Sequence, residues 1–199
     1  MPGALSNRKR FEELRWPHFK AVPELVRIVV AIDPAATGGE DADETGIILA
    51  GKDAAGTGYV LGDHSGRYTP SEWANKAISL YREHNADRVV AEVNNGGEMV
   101  ENTLRMIDLN VAFTKVRASR GKVIRAEPVA ALYEQGRVRH VGSFPVLEDQ
   151  MCGFTTDFDR KAARFLPDRV DALVWAFTDL LVEQMRGERP SISHVPKFV

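Results

Sequence analysis

The chain carries one cysteine, Cys152, in 199 residues. An internal disulfide framework is therefore excluded, as is any cysteine-rich zinc site. Histidine is also scarce: the five present show neither HxH nor HExxH spacing, so a zincin-type centre has no ligands to build on. No apolar run approaches the roughly 18 residues of a membrane span. The first residues, MPGALSNRKRFEELRWPHFK, lack the apolar core of a signal peptide, and a reducing, intracellular compartment is expected. Neither sign of charge dominates: 26 Lys and Arg stand against 28 Asp and Glu, for a net charge of -2. That balance argues against a non-specific nucleic-acid coat. A phosphate-cradling loop is missing too. The one GxxxxGK match, Gly46–Lys52, is followed by Asp53 instead of Ser or Thr, and its interior reads as a strand.

What is present is an ordinary globular composition with 44% hydrophobic and 27% charged residues. Charge is unevenly placed. Asp33 to Glu44 holds five acids (Asp33, Glu40, Asp41, Asp43, Glu44) and no Lys or Arg, while Lys115 to His140 holds seven Lys or Arg against two Glu. A protein that holds cations in one place and a polyanion beside it has this pattern; a set of solvated faces has it too.

Residues 1–25 show no clear period and read as an arm or linker, and 186–199 (RGERPSISHVPKFV) as a tail. Residues 26–185 form the domain between them. RIVVAID (Arg27–Asp33) reads as a strand buried on both faces, with Pro34 stopping regular pairing. Thr45–Gly51 and Gly58–Asp63 read as the next strands of an antiparallel meander. A helix opening at Pro70 has Trp73, Ala77, Leu80 and Tyr81 on one apolar face. Then follow a strand at Arg88–Val93, a helix from about Gly97 to Asp108 with Asn95 as its cap, and a strand at Val111–Val116. A helix over Val123–Gln135 is expected to break or kink at Pro128 and end at Gly136. Val138–Val141 reads as a short strand and Pro145–Met151 as a short helix. A last helix runs from Pro167, in its first turn, to about Met185. The class is α/β: a mixed sheet, three antiparallel strands plus parallel ones, flanked by helices.

Single acids close the buried strands. Asp33 ends the first, and Glu92 lies near the end of the fourth. Burying a lone carboxylate is costly unless it is paired or bound to metal. The first and fourth strands are plausible sheet neighbours, and two carboxylates side by side repel unless a cation holds both ionised. Asp168 and Asp171 in PDRVDALVWAF lie three apart at a helix start and share a face. Carboxylates with few histidines suit a hard, oxygen-preferring ion, Mg²⁺ or Mn²⁺. Two such ions would serve phosphodiester hydrolysis. Asp41, Asp43 and Glu44 read as loop acids, His64 and His140 as structural or surface, Cys152 as an apolar filler, and Trp73 and Trp175 as core.

The blocks AIDPAATGGEDADETGIILAG, VVAEVNNGGEMVENTLR, ASRGKVIRAEPVAALYEQGRVRHVGSFPVLEDQM and PDRVDALVWAF resemble the nuclease domain of tailed-bacteriophage terminase large subunits. The resemblance runs from about Ile28 to Leu181 and implies the RNase H-like (retroviral integrase) fold. It implies metal-dependent endonucleolytic cutting of concatemeric double-stranded DNA during genome packaging, in the cytoplasm of the bacterial host. Asp33, Glu92 and Asp171 match the family's catalytic metal ligands, and Asp168 a position that assists. The implied partners are DNA, a packaging ATPase domain, the portal and the small terminase subunit. Arg117, Arg120, Lys122, Arg125, Arg137 and Arg139 are then expected to hold the DNA backbone. Arg160, Lys161 and Arg164 are a second basic patch.

Two departures stand out. Leu166 replaces a Ser that commonly caps the last helix, and Leu cannot accept that hydrogen bond. No ATPase motif occurs, so the nuclease half is expected here alone, excised or separately encoded. Three rivals remain open: a same-fold junction resolvase or transposase, a DNA- or motor-docking module silent in isolation, and an actin-like ATPase using the DPAAT turn. The last needs two such domains.

Overall fold

Alternation and β-branching build the centre of the molecule. β1 (Arg27–Asp33), β2 (Gly46–Lys52) and β3 (Gly58–Asp63) form the antiparallel meander. β4 (Arg88–Glu92) pairs parallel with β1, β5 (Phe113–Val116) parallel with β4, and β6 (Val138–His140) parallel with β3. The result is one six-stranded sheet of order β5-β4-β1-β2-β3-β6. This computed structural model describes residues 22–35, 44–93, 97–118, 121–154 and 167–183. Most of the arm and tail, Asn95 and Leu166 lie outside the described residues.

Val29 to Ile32 are wholly buried. Each such Val or Ile contributes roughly 1.5–3 kcal/mol through apolar burial. Successive side chains serve opposite layers: Val29 and Ala31 face one core, Val30 and Ile32 the other. The second core is covered by α1 (Pro70–Glu83) and α2 (Gly97–Ile107). α1 begins in a capping box: Glu72 N–H donates to Thr69 Oγ1, and Thr69 N–H donates to Glu72 Oε2 at 2.8 Å.

The first core is covered by α3 (Lys122–Glu134), α4 (Pro145–Gly153) and α5 (Asp168–Phe177). α3 runs through Pro128 unbroken, where a break or a kink is expected. Pro128 removes one backbone donor, but Ala126, Val129, Ala130, Leu132 and Tyr133 keep the helix on the core. It ends where predicted, on Gly136 at φ +66°, with Gly136 N–H bonded to Tyr133 O and Arg137 N–H to Leu132 O. α5 starts one residue later than expected, with Pro167 at the cap position. It continues as a π-helical turn, Thr178–Val182, which buries Asp179 against Arg27 at 2.8 Å. No described helix is long and apolar enough to cross a membrane.

Candidate metal centre

Two strand ends and one helix start build the site. The alternation that sends Val29 and Ala31 toward α5 sends Asp33 the same way. In β4, Val90 faces that layer while Val89 and Ala91 face the other, so Glu92 joins Asp33. The parallel register pairs Ile32 with Ala91, which places Asp33 and Glu92 side by side at the edge formed by the C-terminal ends of the interior strands β1 and β4. On α5, Asp168, Asp171 and Trp175 lie on one helical face over that edge.

Ligand oxygens of Asp33, Asp168 and Asp171 all lie within 4.8 Å of one another. Asp168 and Asp171 are 8% and 3% exposed. Burial and the neighbouring Asp171 charge hold the Asp33 carboxyl well above its ordinary pKa, with Lys122 opposing and Glu92 and Asp168 adding to the rise. Asp171 is raised as well, chiefly by burial, although Lys122 and Arg125 pull it down. Desolvation drives both shifts, and at Asp33 the neighbouring like charges add to it. A hard divalent cation would relieve them, and an all-carboxylate donor set without sulfur or imidazole fits Mg²⁺ or Mn²⁺.

Glu92 stands beside this trio, outside the tight group. Its Oε2 accepts the indole Nε1–H of Trp175 at 2.7 Å and faces Arg125 Nη1 at 3.6 Å. Asp168, expected only to assist, is inside the group. The shorter Asp168 side chain points into the cluster from the helix start, while the longer Glu92 is drawn to Trp175.

Lys122 forms an ion pair with Asp171 Oδ2, and Arg125 Nη2 donates to Asp171 Oδ1 at 3.3 Å. The Arg125 guanidinium also lies over the Trp175 ring, 4.7 Å from its centroid. So two of the expected DNA contacts are engaged with the acids. Arg117 is exposed just beyond β5, at the sheet edge that carries Glu92. Arg137 and Arg139 are elsewhere. β6 pairs with the first half of β3, and Arg137 Nη2 donates to Gly56 O at 3.2 Å in the β2–β3 turn. That is the opposite end of β3 from Asp63. The structure therefore divides the basic stretch, and Arg120, Arg160, Lys161 and Arg164 lie outside the described residues, as do Asp41 and Asp43.

The sequence family of terminase RNaseH-like domains matches residues 30–180. The chain belongs to that family. Solved structures of terminases share its fold at low identity. The large terminase of a thermophilic bacteriophage aligns with TM-score 0.64 and 13% identity, over 88% of this chain and 44% of that one. This terminase domain thus spans less than half of that protein. The large terminase nuclease of thermophilic phage G20c with bound magnesium aligns at TM-score 0.59 and 16% identity, over 89% and 98% of the two chains. The human cytomegalovirus terminase nuclease domain, manganese-soaked and inhibitor-bound, aligns at 0.57 and 15%, over 90% and 96%. No curated protein matches the sequence.

Several residues of this terminase site escaped the sequence reading. Trp175 was legible only as core, yet its spacing four residues after Asp171 places it on the same helix face. Arg169 donates to Glu44 Oε2 and Oε1 at 3.1 and 3.2 Å and to Asp63 Oδ2 at 2.6 Å. Glu44 is thus tied to the start of α5. Gln150 Oε1, from α4, accepts the Arg169 backbone N–H at 3.2 Å. That contact satisfies one backbone donor of the helix start, where Pro167 at the cap position offers no side-chain acceptor. His140 is buried between Tyr133 and Glu148, each at 2.9 Å, and is structural.

Proposed function

We propose that this terminase domain is a metal-dependent endonuclease that cuts concatemeric double-stranded viral DNA during packaging. The observation that carries the reading is the convergence of Asp33, Asp168 and Asp171, from elements far apart in sequence, on one point. Asp33, Asp168 and Asp171 would hold Mg²⁺ or Mn²⁺, with Glu92 beside them. When bound, a pair of such ions supplies an activated water and stabilises the leaving oxygen of an in-line displacement.

The chain's own residues prepare that chemistry. Asp33 and Asp171 would accept the charge of the cations. The Trp175 N–H holds one Glu92 oxygen and so orients the other. Arg117 offers a cation to the phosphate backbone near the acids. Contacts of that kind position DNA without reading sequence. The resemblance implies a packaging ATPase domain, the portal and the small terminase subunit as its partners.

A second reading draws on the ion pairs of Asp171 with Lys122 and Arg125. It describes a docking module whose cutting is silent until α3 is drawn aside. Plasmid cleavage with Mn²⁺, Mg²⁺ or EDTA, run beside Asp171→Asn, separates the two. Nicked and linear products that need metal and vanish in the variant support the nuclease. DNA binding with intact plasmid in every lane supports the silent module.

A further inference from the structure

The start of α5 carries two of the three clustered carboxylates, yet little in its own sequence fixes where it begins. Pro167 occupies the cap position without a side-chain acceptor. The orphan N–H groups of a first helical turn need partners from elsewhere. Three tertiary contacts meet at this turn. Gln150 takes the Arg169 N–H. Gly46 of β2 lies so close that a Cβ there would sit 2.0 Å from Asp168 O. The third contact is the Arg169 side chain itself.

Arg169 spends its fork on two carboxylates from separate segments: Glu44 ahead of β2, through Nε and Nη2, and Asp63 at the end of β3, through Nη1. The Arg169 side chain is 11% exposed and the Asp63 side chain 6%. A planar fork gripped by two fixed carboxylates allows little rotation or slide. Its geometry sets it apart from Lys122 and Arg125. Those cations lie on Asp171, whereas the charge of Arg169 is directed to Glu44 and Asp63.

We infer that Arg169 is the positioning residue of the metal centre, and that Glu44 and Asp63 anchor it so that Asp168 and Asp171 meet Asp33 at ligand spacing. The inference rests on the metal-centre reading above. The clamp acts through the helix start: releasing it lets the first turn of α5 shift or fray while the rest of the helix stays buried in the sheet layer.

The test is Mn²⁺ uptake by the protein without DNA, read from the paramagnetic resonance signal of free Mn²⁺, together with thermal melts. Arg169→Gln is expected to weaken Mn²⁺ binding by about tenfold or more, the scale on which ligand-orienting partners act. Glu44→Gln, at a side chain 34% exposed, folds and weakens it by a smaller factor. Arg169→Lys keeps the charge without the fork and recovers melting temperature more than affinity. Arg27→Ala breaks the ion pair with Asp179 in the turn that follows α5 and lowers the melt with Mn²⁺ affinity intact. Wild-type affinity in a folded Arg169→Gln protein overturns the inference, as does an equal loss in Arg27→Ala. If Arg169→Gln fails to fold, Glu44→Gln decides, and unchanged affinity there overturns it. No Mn²⁺ uptake by the wild-type chain overturns the metal reading and this inference together.

Discussion

Trp175 donates its indole N–H to Glu92 across 2.7 Å, from a helix face that also carries Asp171. The bond makes a core aromatic part of the acidic site. Trp175→Phe keeps most of the ring and removes the donor. A lost bond to a charged acceptor costs about 1.5–3 kcal/mol, less here because Arg125 still faces Glu92. We expect a modest loss in denaturant unfolding and a clear loss of cleavage. Unchanged cleavage would show that Glu92 needs no orientation.

The two carboxyls with raised pKa should respond differently to neutralisation. Asp33 is raised by burial and by its acidic neighbours. Asp171 sits between Lys122 and Arg125. Asp33→Asn is therefore expected to raise the melting temperature of the metal-free protein, and Asp171→Asn to leave it within a few degrees or lower it. Both should abolish metal-dependent cutting. Normal cutting by either would remove that residue from the site.

Those shifts set a pH dependence. With its folded pKa above the unfolded value, Asp33 keeps a proton in the native state that the unfolded chain has already lost. Metal-free stability from this group is thus highest below the unfolded pKa and declines as pH rises through the raised folded pKa. The melting difference between wild type and Asp33→Asn should widen over that window and level off above it. Mn²⁺ binding should strengthen with pH over the same range and release protons, which calorimetry in buffers of different ionisation enthalpy will register.

Gly46 is where β2 touches the helix start. A methyl group there meets Asp168 O at 2.0 Å, and the backbone must move. Overpacking of this kind costs about 1–3 kcal/mol. Gly46→Ala should lower stability by that order and weaken Mn²⁺ uptake with it. An Ala variant with native affinity would show that the helix start has slack.

The divided basic stretch predicts a divided effect on DNA. Arg117→Ala should flatten the salt dependence of binding by roughly one phosphate contact. Arg137→Ala, at the far end of β3, should leave the slope as it is. Equal effects would mean that DNA wraps to the β2–β3 turn.

Most of the architecture was legible in the sequence because its signals are local. β-branched runs mark β1 and β4, a single apolar stripe marks α1, and Gly136 marks the end of α3. Asp33, Glu92, Asp168 and Asp171 stood out for the same reason, as charges in segments that otherwise demand burial. Pro128 leaves α3 unbroken because its cost is local while the packing that outweighs it is not.

The sequence by itself therefore determined the elements, the order of the meander and the acids worth watching. Only the tertiary structure decided that Asp168 joins Asp33 and Asp171 while Glu92 turns to Trp175, that Lys122 and Arg125 face acids, and that Gln150, Glu44 and Asp63 secure the start of α5. The physical reason is range. Period and propensity act over a few residues, whereas a carboxylate cluster is set by strand register and by side chains arriving from distant segments, as Arg169 and Glu44, 125 positions apart, do.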